Sequence, residues 1–177
     1  MFLAFALLFD RYWDAIFGFC YLRVGDWHEA EDVASQVFVN ALSSLPRFQA
    51  EEPSHTFRAW LYGIARNTVI SSYRQSARRP AITLDDEPEH AAQGASIEEL
   101  IIEAERHAEL RELLDRLPDD QRELLELRLS GLNAVEIART LGRSHDAVRK
   151  AQSRAITSLR QALIQQQSER SSKGGTH

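Results

Sequence analysis

The sequence predicts an all-α protein made of two small helical domains, which a flexible acidic linker joins. Three observations support this fold class. First, only 8 glycines and 5 prolines occur in 177 residues, and the abundant alanine, leucine, glutamate, arginine and glutamine favour helices over sheets. Second, apolar residues recur with the helical period in several segments. Third, a segment rich in acids and prolines lies between two helix-rich stretches.

Three helices are predicted before this segment, over residues 3–23, 27–45 and 55–78. The first begins with the apolar run MFLAFALLF, which lacks a basic leading segment and a small-residue cleavage pattern. It is therefore interpreted as the start of a buried helix and not as a signal peptide. No stretch of the chain reaches the roughly 18 apolar residues that a membrane-spanning helix needs, so no membrane insertion is expected.

The second predicted helix has an apolar stripe and an exposed side. The stripe consists of Ala30, Val33, Val37, Ala41 and Leu45, and the exposed side consists of Asp32, Gln36, Val39 and Ser43. A valine among polar residues on the exposed side indicates a contact with another protein. A scattered surface valine without a function is the alternative.

The third predicted helix also has two different faces. Its apolar stripe follows the helical period and consists of Phe57, Trp60, Leu61, Ile64, Ala65 and Thr68. A second face combines basic and aromatic side chains, namely Arg58, Tyr62, Arg66 and Tyr73. Side chains of these two kinds stack on bases and pair with phosphates in proteins that bind single strands. An ordinary solvated face with amphipathic tyrosines is the alternative.

Composition sets the predicted domain boundaries and predicts where an anion binds. The boundaries give a first domain at 1–79, a linker at 80–96, a second domain at 97–167 and a disordered polar tail at 168–177. Residues 80–104 contain seven acids and no lysine or arginine. Residues 130–177, by contrast, contain eight basic and three acidic side chains. This asymmetry predicts that the C-terminal part of the chain binds an anion.

Four helices are predicted after the linker, over residues 97–115, 119–129, 134–141 and 145–165. Residues that favour helix starts precede each of them: Ser96 with Glu99, Pro118, Asn133 with Glu136, and Ser144. The residues Gly142 and Arg143 turn the chain between the last two helices. This order predicts a helix-turn-helix, a motif that inserts its second helix into the major groove of DNA.

The last predicted helix supplies the candidate DNA-reading face. Its inner side is predicted to contain Val148, Ala155, Ile156, Leu159 and Leu163, and its outer side Arg149, Lys150, Ser153, Arg154 and Thr157. Arginine pairs with guanine edges in the major groove, and both basic residue types neutralise phosphates. A solvated basic helix in a bundle is the alternative.

No pattern typical of an enzyme occurs in the sequence. The six histidines never form the HExxH motif, and no glycine-rich phosphate loop is present. The single cysteine, Cys20, lies in an aromatic run, where a buried structural thiol is expected. We therefore expect no catalytic residues, no metal site and no cofactor, and a reducing cytoplasmic location.

Three sequence strings resemble a known family. They are AEDVASQVF at 30–38, FRAWLYGIARN at 57–67, and the helix-turn-helix segment that starts at LPDDQRELLELRL and covers 117–160. Together they resemble regions 2 and 4 of the extracytoplasmic-function sigma factors, which are specificity subunits of bacterial RNA polymerase. The resemblance implies a promoter-reading initiation factor that has no catalytic chemistry of its own.

The resemblance also implies roles for individual residues. Binding to the clamp of core polymerase falls on Asp32, Ser35, Gln36 and Phe38, with Val39 on the same exposed side. Reading of the minus-ten element falls on a loop from Phe48 to His55, supported by Asn67, and we add to this site Arg58, Tyr62 and Arg66 from the basic and aromatic face of the third helix. Reading of the minus-thirty-five element falls on Ser144, Arg149, Lys150, Ser153 and Arg154.

The expected partners are core RNA polymerase, through its clamp and flap, promoter DNA, and an anti-sigma factor. The family resemblance implies that the linker threads through the polymerase, whereas a passive tether is the alternative. Two other functions remain open from the residues alone. One is a free-standing helix-turn-helix regulator, and the other is a helical adaptor without a role in nucleic-acid binding.

Overall fold

The computed structural model describes residues 2–48, 56–76 and 97–173. All regular secondary structure in these ranges is helical, which confirms the predicted all-α class. The seven α-helices are α1 (Phe2–Val24), α2 (Trp27–Ser44), α3 (Phe57–Ser76), α4 (Ile97–Asp115), α5 (Asp119–Leu129), α6 (Ala134–Leu141) and α7 (His145–Lys173). A short 3-10 turn at Leu45–Arg47 follows α2. The predicted linker at 80–96 lies outside the described residues.

A tight turn between α1 and α2 sets the geometry of the N-terminal group, which comprises α1, α2 and α3. Gly25 has a φ of 82°, a backbone conformation that favours glycine. Its N–H donates to the carbonyl of Tyr21 at 2.9 Å, which closes the end of α1. The carboxylate of Asp26 then accepts a hydrogen bond from the N–H of Glu29 at 2.8 Å and caps α2.

An aromatic cluster fills the space between α1 and α2. The ring of Phe38 lies 4.7 Å from that of Phe9, 5.8 Å from that of Trp13 and 6.4 Å from that of Phe5, measured between ring centroids. Phe38 is only 4% exposed. This residue, which the family resemblance assigns to clamp binding, is therefore part of the core of the N-terminal group.

Capping residues define the helix-turn-helix in the C-terminal group, which comprises α4 to α7. The side chain of Asn133 accepts from the N–H of Glu136 at 3.0 Å, and the Glu136 carboxylate accepts from the N–H of Asn133 at 2.9 Å. This reciprocal pair confirms the predicted capping box at the start of α6. Gly142 ends α6 in the left-handed conformation, and the hydroxyl of Ser144 caps α7 by accepting from the N–H of Ala147 at 3.2 Å.

Helix α7 is longer than predicted. It continues to Lys173, so residues 168–173 are helical, although their polar composition predicted disorder. One side chain of α4 and one directly after it supply the reason. Arg116 pairs with Glu169, and Glu109 pairs with Arg170, each at 2.9 Å. The sequence composition did not reveal these contacts because the partners are more than 50 residues apart.

The two groups of helices pack against each other. Helix α3 contacts α6, and α1 contacts both α4 and α5. The buried apolar residues of both groups form one continuous cluster, from Ile16 in α1 to Ala155 in α7. The sequence predicted two domains with a linker between them, and the described helices share a core. Among the described residues, no helix is both long and apolar enough to cross a membrane.

Candidate nucleic-acid interface

Helix α7 presents the predicted DNA-reading side chains to solvent. Arg149, Lys150, Ser153 and Arg154 are all exposed, while Val148, Ala151 and Ala155 are buried beneath them. The turn between α6 and α7 sets where this face begins, because the Ser144 hydroxyl accepts from the N–H of Ala147 and so defines the first turn of α7. The arrangement gives a basic helix face that fits the geometry of major-groove binding.

The inner side of α7 differs in part from the prediction. Val148 and Ala155 are buried as expected, but Ile156 and Leu163 are 38% and 37% exposed. The buried positions of α7 are instead Val148, Ala151, Ala155, Ala162 and Gln166. Three of these buried positions are alanines, and the bulkier Ile156 and Leu163 lie at more exposed positions.

A polar groove of about 620 Å³ runs along the junction of α2 and α3. Asp32 and Gln36 line one side of this groove, and Asn67 lines the other. A hydrogen-bonded chain crosses it: the Gln36 amide donates to Asn40 at 2.9 Å, and the Asn40 amide donates to Thr68 at 3.1 Å. The groove is thus a preorganised polar surface on the N-terminal group.

Four of the five residues predicted to bind polymerase are exposed on α2. They are Asp32, Ser35, Gln36 and Val39. Val39 is 56% exposed among these polar neighbours. The fifth residue, Phe38, points into the core and is not available for a direct contact in this arrangement.

The structure divides the residues predicted to read the minus-ten element. Asn67 is exposed and lines the groove between α2 and α3. Phe48 packs on Trp60 and Phe57, with ring centroids 4.9 and 5.8 Å away. The rest of the predicted loop, including His55, lies outside the described residues. Arg58, Tyr62 and Arg66 lie on a different face of α3, which the C-terminal group covers.

Arg58 and Arg66 are engaged by carboxylates from the C-terminal group. Arg58 donates to Glu136 through Nη2 at 2.7 Å and through Nε at 3.2 Å. Arg66 donates to Glu123 through Nε at 2.5 Å and through Nη2 at 3.4 Å. Between the two arginines, Tyr62 is completely buried, and its hydroxyl lies within donating distance of two carbonyls, that of Ala15 in α1 at 3.4 Å and that of Ser130 at 3.5 Å. The face that the sequence predicted to be solvent-exposed is therefore an interface.

A buried carboxylate joins the two groups beside these pairs. Glu126 of α5 is fully buried and contacts Arg23 of α1 at 2.9 Å and Arg122 of α5 at 2.7 Å. Burial raises the pKa of the Glu126 carboxyl, and the two guanidinium groups oppose this shift. Sequence reasoning missed this network. The one sign of this network in the sequence is that Glu126 stands between two leucines, Leu125 and Leu127, which the structure shows to be buried.

Two further pKa shifts bear on the chemistry of the chain. Burial raises the pKa of the Cys20 thiol to about 12, so the thiol stays protonated at neutral pH, as expected for a structural cysteine. Burial also favours a higher pKa for Glu136, but hydrogen bonds from Arg58, the N–H of Asn133 and Thr56 outweigh it and lower the pKa. Glu136 therefore contributes stability above its ordinary pKa, and this contribution is lost as the pH falls through the lowered value.

The helix-turn-helix with an exposed basic helix, together with the polar groove of the N-terminal group, defines a DNA-binding protein with a second interaction surface. Comparison with known proteins identifies the family. Residues 8–79 match the model of Sigma-70 region 2, and residues 107–159 match that of Sigma-70, region 4. The chain belongs to the ECF sigma factors of RNA polymerase, as the sequence motifs indicated.

Curated relatives carry the same description. The chain is 36% identical over 151 residues to the ECF RNA polymerase sigma factor SigD of Mycobacterium tuberculosis. This alignment covers 82% of this chain and 70% of SigD. It is 34% identical over 161 residues to the ECF RNA polymerase sigma factor BldN of Streptomyces coelicolor, and this alignment covers 90% of this chain. The chain spans 60% of the length of BldN.

Solved structures show the same arrangement of helices. CnrH in complex with the cytosolic domain of CnrY matches with a TM-score of 0.68 and 26% identity, over 93% of this chain and 90% of that one. The sigma factor RpoE in complex with the anti-sigma factor NepR from Bartonella quintana matches with a TM-score of 0.65 and 22% identity, over 91% of this chain and 97% of that one. The second likeness concerns the fold alone.

Proposed function

We propose that this chain binds core RNA polymerase and directs promoter-specific initiation of transcription in the cytoplasm, without catalytic residues of its own. The observation that supports the proposal is that the chain has two exposed surfaces, which follow each other along the chain in the same order as regions 2 and 4 of the family. A polar surface on α2 precedes an exposed basic helix, α7, in a capped helix-turn-helix. RNA synthesis then belongs to the polymerase, and this chain supplies recognition of the promoter.

Each surface has a separate task in this proposal. Asp32, Ser35, Gln36 and Val39 contact the polymerase clamp, and Phe38 acts by holding α2 against α1. Arg149, Lys150, Ser153 and Arg154 read the minus-thirty-five element, with Ser144 fixing the start of their helix. Arg58, Tyr62, Arg66 and Asn67, with the loop from Phe48 to His55, read the minus-ten element as single-stranded DNA.

A protein partner that controls access to polymerase is part of the proposal. Support comes from CnrH, which was solved in complex with the cytosolic domain of CnrY and resembles this chain over nearly its full length. The family resemblance implies that this partner is an anti-sigma factor. It would compete with polymerase for this chain.

Transcription in vitro tests the function directly. Core polymerase is incubated with a library of genomic fragments, with and without the full chain, and the transcripts are sequenced. We expect a set of start sites that appears only with the chain, because specific recognition requires the assembled holoenzyme. Specific retardation of DNA by the chain alone, with no new transcripts, would instead identify a free-standing regulator.

Reversal of the charge at Asp32 tests the polymerase-binding surface. We expect Asp32→Lys to weaken binding to core polymerase roughly tenfold, because a charge facing a complementary surface is replaced by its opposite. The free energy of unfolding should change by less than ~0.5 kcal/mol, since the site is exposed and distant from helix caps. Fluorescence titration with labelled core measures the affinity, and thermal unfolding measures the stability.

A matched control for this variant is Asp14→Lys, which makes the same charge change at an exposed position of α1 outside the groove. This control should bind core polymerase like the unchanged chain. Equal affinities for both variants would remove Asp32 from the polymerase surface.

A further inference from the structure

A series of hydrogen bonds, the amide relay, links the polymerase-binding side of α2 to α3. Gln36 donates through Nε2 to Oδ1 of Asn40 at 2.9 Å, and Asn40 donates through Nδ2 to the hydroxyl of Thr68 at 3.1 Å. The Thr68 hydroxyl in turn donates to the carbonyl of Ile64, one turn earlier in α3, at 2.9 Å. The amide relay therefore connects an exposed side chain of α2 with the backbone of α3.

The bond to Ile64 fixes the direction of the amide relay. A backbone carbonyl can only accept, and the Thr68 hydroxyl has a single proton, which it donates to that carbonyl. Thr68 must therefore accept from the amide nitrogen of Asn40, which leaves the oxygen of Asn40 to face Gln36. Because that oxygen can only accept, Gln36 turns its own amide nitrogen inward and its carbonyl oxygen, Oε1, outward. Reversal of the relay would cost the hydrogen bond from Thr68 to Ile64.

The outer side of the groove offers hydrogen-bond acceptors to a partner. No hydrogen bond or ion pair within the described part of the chain occupies Oε1 of Gln36 or the carboxylate of Asp32. Both residues are exposed, and they lie one helical turn apart on the same side of α2. The described lining of the groove also includes Glu29, but neither arginine nor lysine. A guanidinium or ammonium group suits such a surface because it has only donors, whereas a phosphate is repelled.

We propose that Asn40 is a positioning residue that holds Gln36 with its carbonyl oxygen outward, so that Asp32 and Gln36 together accept hydrogen bonds from a cationic side chain of the polymerase clamp. The proposal rests on the proposed function, because it concerns the surface assigned to core polymerase. Asn40 is itself only partly exposed and acts through Gln36. Holding Gln36 in advance reduces the side-chain entropy that is lost on binding.

A double-mutant cycle separates positioning from a general effect on packing. Asn40→Leu has a similar size and removes both hydrogen bonds, and we expect it to weaken binding to core polymerase about fivefold, the scale of one hydrogen bond. In a chain that already has Gln36→Ala, the same change should alter the affinity less than about twofold, because no amide is left to position. A merely structural role would weaken binding equally in both backgrounds. Fluorescence titration with labelled core polymerase compares the four full-length proteins.

The far end of the amide relay gives a second test, which also serves if Asn40→Leu fails to fold. Thr68→Val keeps the shape of the side chain and removes the hydroxyl that accepts from Asn40. We expect it to weaken binding to core polymerase about threefold, and only while Gln36 is present. Its matched control is Ser72→Ala, which removes another α3 hydroxyl that lines the groove but donates within its own helix, to Val69. This control should bind like the unchanged chain.

The sign of a charge change tests the direction of the amide relay. Gln36→Glu keeps an outward oxygen and adds a negative charge, so it should tighten binding to a cation of the clamp about threefold. The new carboxylate can still be held from inside, because Asn40 can turn its amide nitrogen toward it. The control is Gln165→Glu, the same change at an exposed position of α7, which should leave the affinity unchanged. Weaker binding by Gln36→Glu would place the amide nitrogen against the clamp and overturn the inference.

The same titrations distinguish this inference from the proposed function. Failure of the unchanged chain to bind core polymerase would reject the proposed function itself. Binding by the unchanged chain, with equal effects of Asn40→Leu in the two backgrounds or no effect of Asn40→Leu and Thr68→Val, would reject the positioning role alone. An altered preference among minus-ten sequences in Asn40→Leu, at unchanged affinity for core polymerase, would assign the groove to a DNA base and likewise overturn the inference.

Discussion

Glu126→Ala is expected to lower the free energy of unfolding by about 3 kcal/mol, which is the scale for removing one partner of a buried ion pair. The carboxylate of Glu126 is fully buried, and it is held by Arg23 and Arg122, whose side chains are only 14% and 19% exposed. Its removal leaves two cations with little access to water beside an empty space. Chemical denaturation of the full chain, with the transition followed by circular dichroism, measures the change.

The control for this variant is Glu169→Ala, which removes an exposed partner from the ion pair with Arg116. Exposed pairs contribute at most about 1 kcal/mol, so the control should unfold almost like the unchanged chain. A loss of stability in Glu126→Ala no larger than in the control would show that this network does not hold the two groups of helices together.

Replacing both arginines of the DNA-reading face is expected to abolish minus-thirty-five selectivity. An arginine that bonds to a base edge contributes about 1–3 kcal/mol of discrimination, so Arg149→Ala with Arg154→Ala should reduce promoter preference about 5- to 160-fold at each contacted position. Both residues are exposed, and their loss should leave folding intact. Competition transcription between the preferred promoter and single-base variants measures the preference.

The matched control is Arg160→Ala with Arg170→Ala, because it also removes two positive charges from exposed positions of α7, on the C-terminal side of the DNA-reading face. It should reduce affinity for all sequences only slightly. A double variant of the DNA-reading face that transcribes the preferred promoter at the rate of the control would mean that α7 does not read DNA through this face. Uniform weakening on all promoters would identify the two arginines as phosphate contacts.

The sequence by itself determined the helical class, the bounds of most helices and the helix-turn-helix. These features depend on local chemistry. The capping box of Asn133 and Glu136 and the cap at Ser144 act over only three residues, and the stripe of Ala30, Val33, Val37 and Ala41 reflects the helical period. Signals of this kind involve residues that are close together in the chain and can be recognised in the sequence alone. The bounds of α4, α5 and α6 therefore agree with the predicted ones.

The family could also be inferred from the sequence, since the motifs of region 2 and region 4 are continuous segments of the chain. The exposed side of α2 followed directly from its period, and Asp32, Gln36, Val39 and Ser43 are exposed as predicted. Phe38 is the exception among the candidate polymerase contacts. Its burial depends on Phe9 and Trp13 of α1, which approach it only when the two helices pack.

Only the tertiary structure decided what covers α3 and what extends α7. Arg58 and Arg66 have the pattern of a solvent-facing basic stripe, yet carboxylates more than 50 residues away bind them. The end of α7 has the composition of a disordered tail, yet Arg116, directly after α4, pairs with Glu169, and Glu109 of α4 pairs with Arg170. Charge attraction and apolar burial between distant segments depend on how the helices pack in three dimensions. The periodicity of one helix therefore does not show which residues of another helix will contact it.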